Sequence, residues 1–138
     1  MITLKTLCQA TEQEVFDQVA RHLLQQNQVS KRRKGECSYR AYLDNDVVLK
    51  CAAGCLIADD EYLPVMDTAS SGTSWDSLIQ DDLVPSCHAG LIMALQNLHD
   101  TVEPDKWLMH LESLAAKWGL HLNTLSEVEE TNYTNQPF

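Results

Sequence analysis

Residues 37–58 read CSYRAYLDNDVVLKCAAGCLIA and contain the strand-forming part of the chain. The segments 37–43 and 47–50 are rich in aromatic, β-branched and other apolar residues, and residues 44–46, Asp-Asn-Asp, favour a turn between them. The small residues of 51–58 suit a short helix or turn packed beneath the strands. Because a two-stranded hairpin alone is marginal in water, the sequence predicts a β-hairpin that lies on a layer of helices.

Helices on both sides of this hairpin can supply that layer. Thr11 followed by Glu14 is a capping-box pattern, and apolar residues at four-residue spacing continue this helix to Gln26. Further helices are predicted at residues 75–80 after Ser74 as N-cap, at 86–99, and from Pro104 to Trp118, where Gly119 ends the last one. We expect a helix-rich α+β fold, with the hairpin packed against about four helices in one domain over residues 1–125. A polar, poorly ordered tail follows over 126–138.

The length and the cysteines bear on where the protein works. Its 138 residues are enough to bury a core without metal or disulfide staples. No segment approaches the roughly 18 apolar residues of a membrane-spanning helix, and the first residues lack the layout of a secretory signal. Five cysteines are an odd number without the spacing of a secreted disulfide framework. We therefore expect reduced thiols in a cytoplasmic protein.

Negative charge is concentrated in the middle of the chain. The net charge is −10, and no Lys or Arg occurs from Cys51 through Asp105, an interval that holds ten acids. Such a region repels the phosphates of DNA and RNA, so we expect no direct nucleic-acid binding there. Four basic residues at 31–34 leave a small phosphate-binding patch open as an alternative, although no aromatic residues interleave with them.

The same acids favour a protein partner with a basic surface. A carboxylate-rich surface can dock such a partner by charge complementarity and needs no catalytic residues. The alternative is that the charge only keeps the domain soluble, because composition does not show whether the acids form one face. The candidate partner-binding residues are Asp59, Asp60, Glu61, Asp67, Asp76, Asp81 and Asp82.

A cysteine-dependent enzyme is a second hypothesis. Cys55 would be the nucleophile and His99 the base that activates it. Asp100 directly follows His99, so their side chains are expected to diverge on a helix, and the orienting acid would come from Asp59 or Asp60. The ordinary alternative is a Cys that packs in the core and a His at a helix end.

A zinc-bearing module is the other version of this hypothesis. Zinc in structural sites is held by Cys and His, commonly through paired C-x-x-C knuckles, and this sequence has no such pair. Buried thiols are therefore the ordinary expectation, and we expect no bound cofactor. The module would be built on Cys51, Cys55 and His99, with Cys37, Cys87 and His88 as supporting zinc candidates.

A third hypothesis is a small-molecule site for a nucleotide-like ligand. A pocket between the hairpin and the helices would be lined by aromatic residues, which more often belong to the core. The candidate ligand-binding residues are Tyr39, Arg40, Tyr62 and Trp107.

Several motifs resemble a family of small uncharacterised proteins of bacteriophages, prophages and their bacterial hosts. They are Cys-Ser-Tyr-Arg at 37–40, Lys-Cys-Ala-Ala-Gly-Cys-Leu-Ile at 50–57, Asp-Glu-Tyr at 60–62, and Leu95-Gln96 with His99-Asp100. The similarity spans residues 11–120, and the family brings no established activity. The resemblance implies a phage context, in which small acidic proteins commonly bind and block a host protein. We therefore rank a protein that binds a host protein above the enzyme and small-molecule hypotheses. The candidate targets are defence factors and nucleic-acid-processing factors. The sequence does not specify the oligomeric state.

Overall fold

The computed structural model describes residues 1–31, 37–44, 46–68 and 72–123, and in these ranges it contains four α-helices and a two-stranded antiparallel sheet. The predicted helix-rich α+β fold is confirmed. The predicted tail at 126–138 and three of the four basic residues at 31–34 lie outside the described residues. The elements are α1 (Glu12–Gln26), β1 (Arg40–Tyr42), β2 (Val48–Lys50), α2 (Trp75–Gln80), α3 (Ala89–Thr101) and α4 (Trp107–Trp118), with 3-10 turns at Leu7–Gln9, Ala53–Leu56, Pro64–Asp67 and Pro104–Lys106.

Helix α1 begins as its capping box predicts. The Thr11 side chain accepts from the Glu14 amide at 3.1 Å, and the Glu14 carboxylate accepts from the Thr11 amide at 2.9 Å. One face of the helix is buried, and the chain leaves it through Asn27, which has a left-handed backbone (φ 49°). The buried residues of this face are Val15, Phe16, Val19, Ala20 and Leu23.

The hairpin is shorter than the sequence predicts, because side chains from other segments form hydrogen bonds with the backbone at the strand ends. Strands β1 and β2 pair with Arg40 opposite Lys50 and Tyr42 opposite Val48. The Tyr39 amide, by contrast, donates to the Asp67 carboxylate at 2.8 Å. At the outer edge of β2, the Lys50 amide donates to the Gln26 side chain, and the Lys50 carbonyl accepts from His22 and Gln26. These side chains cover the sheet edges that a two-stranded sheet leaves open.

The 3-10 turn Ala53–Leu56 packs against β2 and against Tyr39, the residue before β1, as predicted for the small residues that follow the hairpin. A Cβ added to Gly54 would collide with the Tyr39 carbonyl oxygen, so only glycine fits there. Ala52 and Ala53 are fully buried beside it. The close approach places the turn in the core, together with Trp75 and Trp107.

A disulfide joins Cys8 to Cys87, with a Cα–Cα distance of 5.3 Å. The expectation of reduced thiols was therefore wrong for these two cysteines, whereas Cys37, Cys51 and Cys55 are free thiols as predicted. Because disulfides persist in oxidising compartments, the pair also removes one of the two grounds for a cytoplasmic location. Sequence spacing did not show it, since the partners are 79 positions apart.

The same link explains why α3 begins three residues later than predicted. His88 has a left-handed backbone (φ 60°), and its ring Nε2 donates to the Ala10 carbonyl at 2.7 Å. Cys87 and His88 are thus used to hold the N-terminal segment, and the helix starts at Ala89. Helix α2 spans the predicted residues, with Ser74 as its N-cap. Helix α4 ends at Gly119 as predicted, but it begins at Trp107, three residues later than predicted, because Pro104–Lys106 form a 3-10 turn.

None of the helices in the described ranges combines the length and the hydropathy needed to cross a bilayer.

Candidate functional site

A cavity of about 430 Å³ opens between the start of the hairpin, the start of α2 and one face of α3. Its volume lies within the range of known ligand pockets. Two of its lining residues are aspartates, and no Lys or Arg of the described residues lines it. We call it the acidic cleft; it is lined by Cys37, Ser38, Tyr39, Cys51, Asp67, Thr73, Ser74, Trp75, Met93, Gln96, Asn97 and Asp100.

Asp67 forms the inner wall of the acidic cleft. Its carboxylate accepts from the Tyr39 amide at 2.8 Å, from the Arg40 amide at 3.3 Å and from the Tyr62 hydroxyl at 2.6 Å. The residue is only 9% exposed. A buried carboxylate with several donors is a structural element, so Asp67 orders the hairpin and is not part of an exposed protein-binding surface.

Asp100 lies at the mouth of the cleft, with 36% of its side chain exposed. Its Oδ1 accepts from Gln96 Nε2 and from His99 Nδ1, each at 2.8 Å. The prediction that the side chains of His99 and Asp100 diverge was wrong. Stacking on Trp107, with ring centroids 5.6 Å apart, and the bond to Ser30 fix the His99 ring so that Nδ1 faces Asp100.

The His99 ring has no free nitrogen for catalysis. It is fully buried, and Nε2 accepts the Ser30 amide proton at 3.0 Å. Since Nε2 accepts, Nδ1 carries the ring proton and donates to Asp100. Its hydrogen bonds and ring contact within the described residues are with Ser30, Asp100 and Trp107, and Cys55 is not among them. The predicted Cys55–His99 pair is therefore not formed.

The same hydrogen bonds argue against a metal. Among the described residues, Cys37, His99 and Asp100 place one ligand atom each within 4.8 Å of one another. A metal binds the lone pair of a ring nitrogen. At Nδ1 it would displace the proton to Nε2, where the Ser30 amide already points, so the arrangement does not suit a metal ion.

The other zinc candidates are held apart by separate contacts. Cys51 Sγ accepts from the Gly54 amide at 3.3 Å, and Cys55 Sγ donates to the Ala52 carbonyl at 3.1 Å. Cys87 is in the disulfide, and the side chain of His88 binds Ala10. The structure does not bring the predicted zinc set together.

The free thiols are not activated as nucleophiles. Burial raises the pKa of Cys55 to about 12, although Lys50 partly opposes it. Burial, and then the Asp100 carboxylate, raise the pKa of Cys37. Burial also raises the pKa of Cys51 well above its usual value. A nucleophilic cysteine needs a lowered pKa or a base free to take its proton. None of the three thiols has a lowered pKa, and beside Cys37 both ring nitrogens of His99 are already engaged, by Ser30 and Asp100.

The predicted partner-binding acids divide into two groups. Asp59 pairs with Arg40 at 2.8 Å and lies 3.8 Å from Lys50. Glu61 accepts the amides of Leu4, Lys5 and Ala58, at 2.9 to 3.0 Å. Glu61 holds the backbone of the fold, as Asp67 does, whereas the side chain of Asp59 is 87% exposed in spite of its ion pair. Asp59 therefore lies on the exposed surface together with the remaining candidates: Asp60, Asp76, Asp81 and Asp82.

The predicted ligand-binding residues do not line one pocket. Tyr39 lines the acidic cleft, but Trp107 is buried and donates from Nε1 to the Val102 carbonyl. Arg40 is buried, with its guanidinium carbon 4.8 Å from the centre of the Tyr62 ring and one amino group on the Ile57 carbonyl. Arg40 therefore orders the segment after the hairpin through Ile57 and Tyr62.

Sequence reasoning missed the face of α3 that lines the acidic cleft. Gln96 and Asp100 are four residues apart, which places them on one helix face. That spacing was a usable signal. The convergence of this face with Cys37, Trp75 and Asp67 from other segments had no counterpart in the sequence.

The fold and the cleft define a small helix-rich α+β domain with an open, carboxylate-bearing cavity. Comparisons with protein-family models, with curated proteins and with solved structures found no match to the chain.

Proposed function

We propose that the chain is a binding protein without catalytic chemistry, and that it captures a partner protein by accepting one of the partner's Lys or Arg side chains at the acidic cleft. The observation that carries the proposal is the position of Asp100. Its carboxylate is part-exposed at the cleft, and the donors it binds, Gln96 and the Nδ1–H of His99, are neutral side chains. Its negative charge is therefore not cancelled by these donors.

The surroundings of Asp100 support a cationic occupant. Burial and then Cys51 raise the pKa of the Tyr39 phenol, and the carboxylates of Asp67 and Asp100 raise it further, so both negative charges act on this wall of the cleft. The rings of Tyr39 and Trp75, 4% and 1% exposed, lie behind these walls with their centroids 6.2 Å apart. Carboxylates and aromatic rings together attract ammonium and guanidinium groups.

Exposed acids outside the cleft support long-range attraction of a basic protein. Asp60, Asp76 and Asp82 are exposed, and the chain carries a net charge of −10. Such charges raise association rates at low salt and are screened beyond roughly 8 to 10 Å in physiological buffers. Binding should therefore weaken as salt rises.

The resemblance of residues 37–40 and 50–57 to phage and prophage proteins supports a bacterial host protein as the partner, met in the host cytoplasm. In that reducing compartment Cys8 and Cys87 would be thiols, whereas the disulfide is the form expected in an oxidising one.

The test compares two neutralising variants with the same net charge. Asp100→Asn keeps the oxygen that accepts from His99 and Gln96 but removes the cleft's exposed charge. Asp105→Asn removes an exposed charge that does not line the cleft. Tagged proteins would be used to capture partners from bacterial lysate at low and high salt, and the affinity for any stoichiometric partner would then be measured.

We expect a salt-sensitive partner that binds Asp100→Asn about tenfold or more weakly, as for loss of a charge-assisted contact of about 1.5 kcal/mol. Asp105→Asn should bind almost as the unchanged protein. Equal affinities of the two variants, or no stoichiometric partner, would contradict the proposal. Reversal of Glu61 to Lys is not a clean test, because Glu61 binds three backbone amides.

A further inference from the structure

A second cavity, of about 410 Å³, lies between α1 and the end of β2, and its charged lining residues are basic, whereas those of the acidic cleft are acidic. Helix α1 contributes side chains spaced three and four residues apart, which form one face. Lys50 and Cys55 form the facing wall. We call it the cationic cleft; it is lined by Met1, Gln18, Arg21, His22, Gln25, Lys50 and Cys55.

The cationic cleft carries positive charge, whereas the chain as a whole has a net negative charge. Arg21 stands on one wall and Lys50 on the other, and no carboxylate of the described residues lines the space between them. Arg21 has no hydrogen bond or ion pair to any described residue. Lys50 Nζ lies 3.8 Å from Oδ1 of Asp59. Arg40 binds the same oxygen at 2.8 Å, so Lys50 is the weaker partner of Asp59. Two cations on facing walls, in a chain of net charge −10, form a local positive site.

The walls beneath these cations are held in place by other side chains. His22 Nε2 donates to the Lys50 carbonyl at 2.8 Å, and Gln26 binds both the amide and the carbonyl of Lys50. Gln18 donates to the carbonyls of Ile2 and Cys55. These contacts fix the backbone that carries Lys50 and Cys55, so the cleft needs little reorganisation to accept a ligand.

We propose that the cationic cleft binds the phosphate group of a small phosphorylated molecule. A phosphate dianion matches the two cations in charge, and the planar guanidinium of Arg21 can donate two parallel hydrogen bonds to its oxygens. The exposed Gln25 amide is a further donor at the same face. A volume of about 410 Å³ leaves room for a small organic group beside the phosphate. The net charge of −10 of the chain disfavours long nucleic acids. This site is independent of the proposed protein partner.

Cys55 provides a reporter inside the cleft. Its thiol is half-buried and lines the cationic cleft, whereas Cys37 lines the acidic cleft. A ligand seated between Arg21 and Lys50 should slow alkylation of Cys55 and leave the rate at Cys37 unchanged. The ratio of the two rates, read by mass spectrometry of the labelled peptides, therefore locates the ligand.

The experiment titrates inorganic phosphate, pyrophosphate and adenosine monophosphate, with sodium chloride at matched ionic strength as the reference. The readouts are the melting temperature and the Cys55-to-Cys37 alkylation ratio. Arg21→Gln and Lys50→Gln remove the cations, and Lys106→Gln is the matched control because this exposed lysine does not line the cleft. The adenosine monophosphate arm separates a bare phosphate site from one that also holds an organic group.

We expect at least one phosphate compound to raise the melting temperature saturably above the sodium chloride reference and to protect Cys55. Arg21→Gln should raise its dissociation constant at least tenfold, and Lys106→Gln should leave it unchanged. The proposal is overturned if sodium chloride gives the same stabilisation, since that would be screening of the net charge alone. It is equally overturned if Arg21→Gln binds as the unchanged protein does, or if Cys55 is not protected.

Discussion

Removal of the Cys8–Cys87 disulfide should destabilise the protein mainly by freeing the unfolded chain. The bridge closes a loop between positions 79 residues apart. The loop-closure relation gives about 4.5 kcal/mol at 25 °C for a loop of that size, and measured values commonly fall below this limit. Cys8 is exposed and Cys87 is half-buried, so replacement by serine removes little packing. We expect Cys8→Ser/Cys87→Ser to lower the free energy of unfolding by about 2 to 4.5 kcal/mol.

Urea denaturation followed by circular dichroism would measure this difference. Cys37→Ser is the matched control, because Cys37 is a free and half-buried thiol. A reducing agent should lower the stability of the unchanged protein to that of the double variant and should leave the double variant unaffected. Alkylation after unfolding should label three cysteines in the oxidised protein and five after reduction.

Two results together would refute the reasoning: three labelled cysteines in the oxidised protein, and a double variant whose free energy of unfolding falls by less than about 1 kcal/mol. The disulfide would then be present without the stabilisation expected from loop closure. Five labelled cysteines in protein that has been equilibrated with oxidised glutathione would refute the disulfide itself.

Three other outcomes follow from individual contacts. Gly54→Ala should destabilise the protein by about 2 kcal/mol or more, since the new Cβ would collide with the Tyr39 carbonyl oxygen; an unfolding midpoint within error of the unchanged protein would contradict this. Burial raises the pKa of Glu61, but hydrogen bonds from backbone amides outweigh it, so the folded pKa is lower than the unfolded pKa of about 4.3. The contribution of Glu61 to stability is therefore present above the unfolded pKa and is lost as the pH falls through the folded pKa. Glu61→Gln should flatten stability against pH in that acid range, and an unchanged pH profile would count against the amide contacts. Alkylation of Cys55 at pH 7.5 should be slower than that of a small free thiol and should rise with pH towards its pKa of about 12; a rapid reaction at pH 7.5 would reopen the nucleophile hypothesis.

The elements that sequence reasoning located correctly are those with local determinants. Thr11 and Ser74 cap their helices through amides three residues on, and Gly119 ends α4 with a left-handed backbone. Each of these contacts lies within one helical turn, so the residue types in the sequence are sufficient to predict it. The start of α3 failed the same reasoning because Cys87 and His88 bind residues about 80 positions away.

The same difference between local contacts and contacts of distant segments applies to the candidate site. The spacing of Gln96 and Asp100 already places them on one face of a helix. The position of that face beside Asp67 and Trp75 depends on packing between segments distant in the chain. For the same reason, sequence could not distinguish the acids that hold the backbone, such as Glu61, from those that face solvent.

The sequence by itself determined the fold class, the net charge and most helix boundaries, because hydrophobic periodicity, capping residues and composition act over a few neighbouring positions. Only the tertiary structure decided which thiols are free, why the His99 ring cannot act as a base, and where opposite charges collect into two clefts. Those properties depend on burial and on hydrogen bonds between segments far apart in the chain, such as the Ser30 amide on His99 Nε2. Residue type alone specifies neither the burial nor the partner.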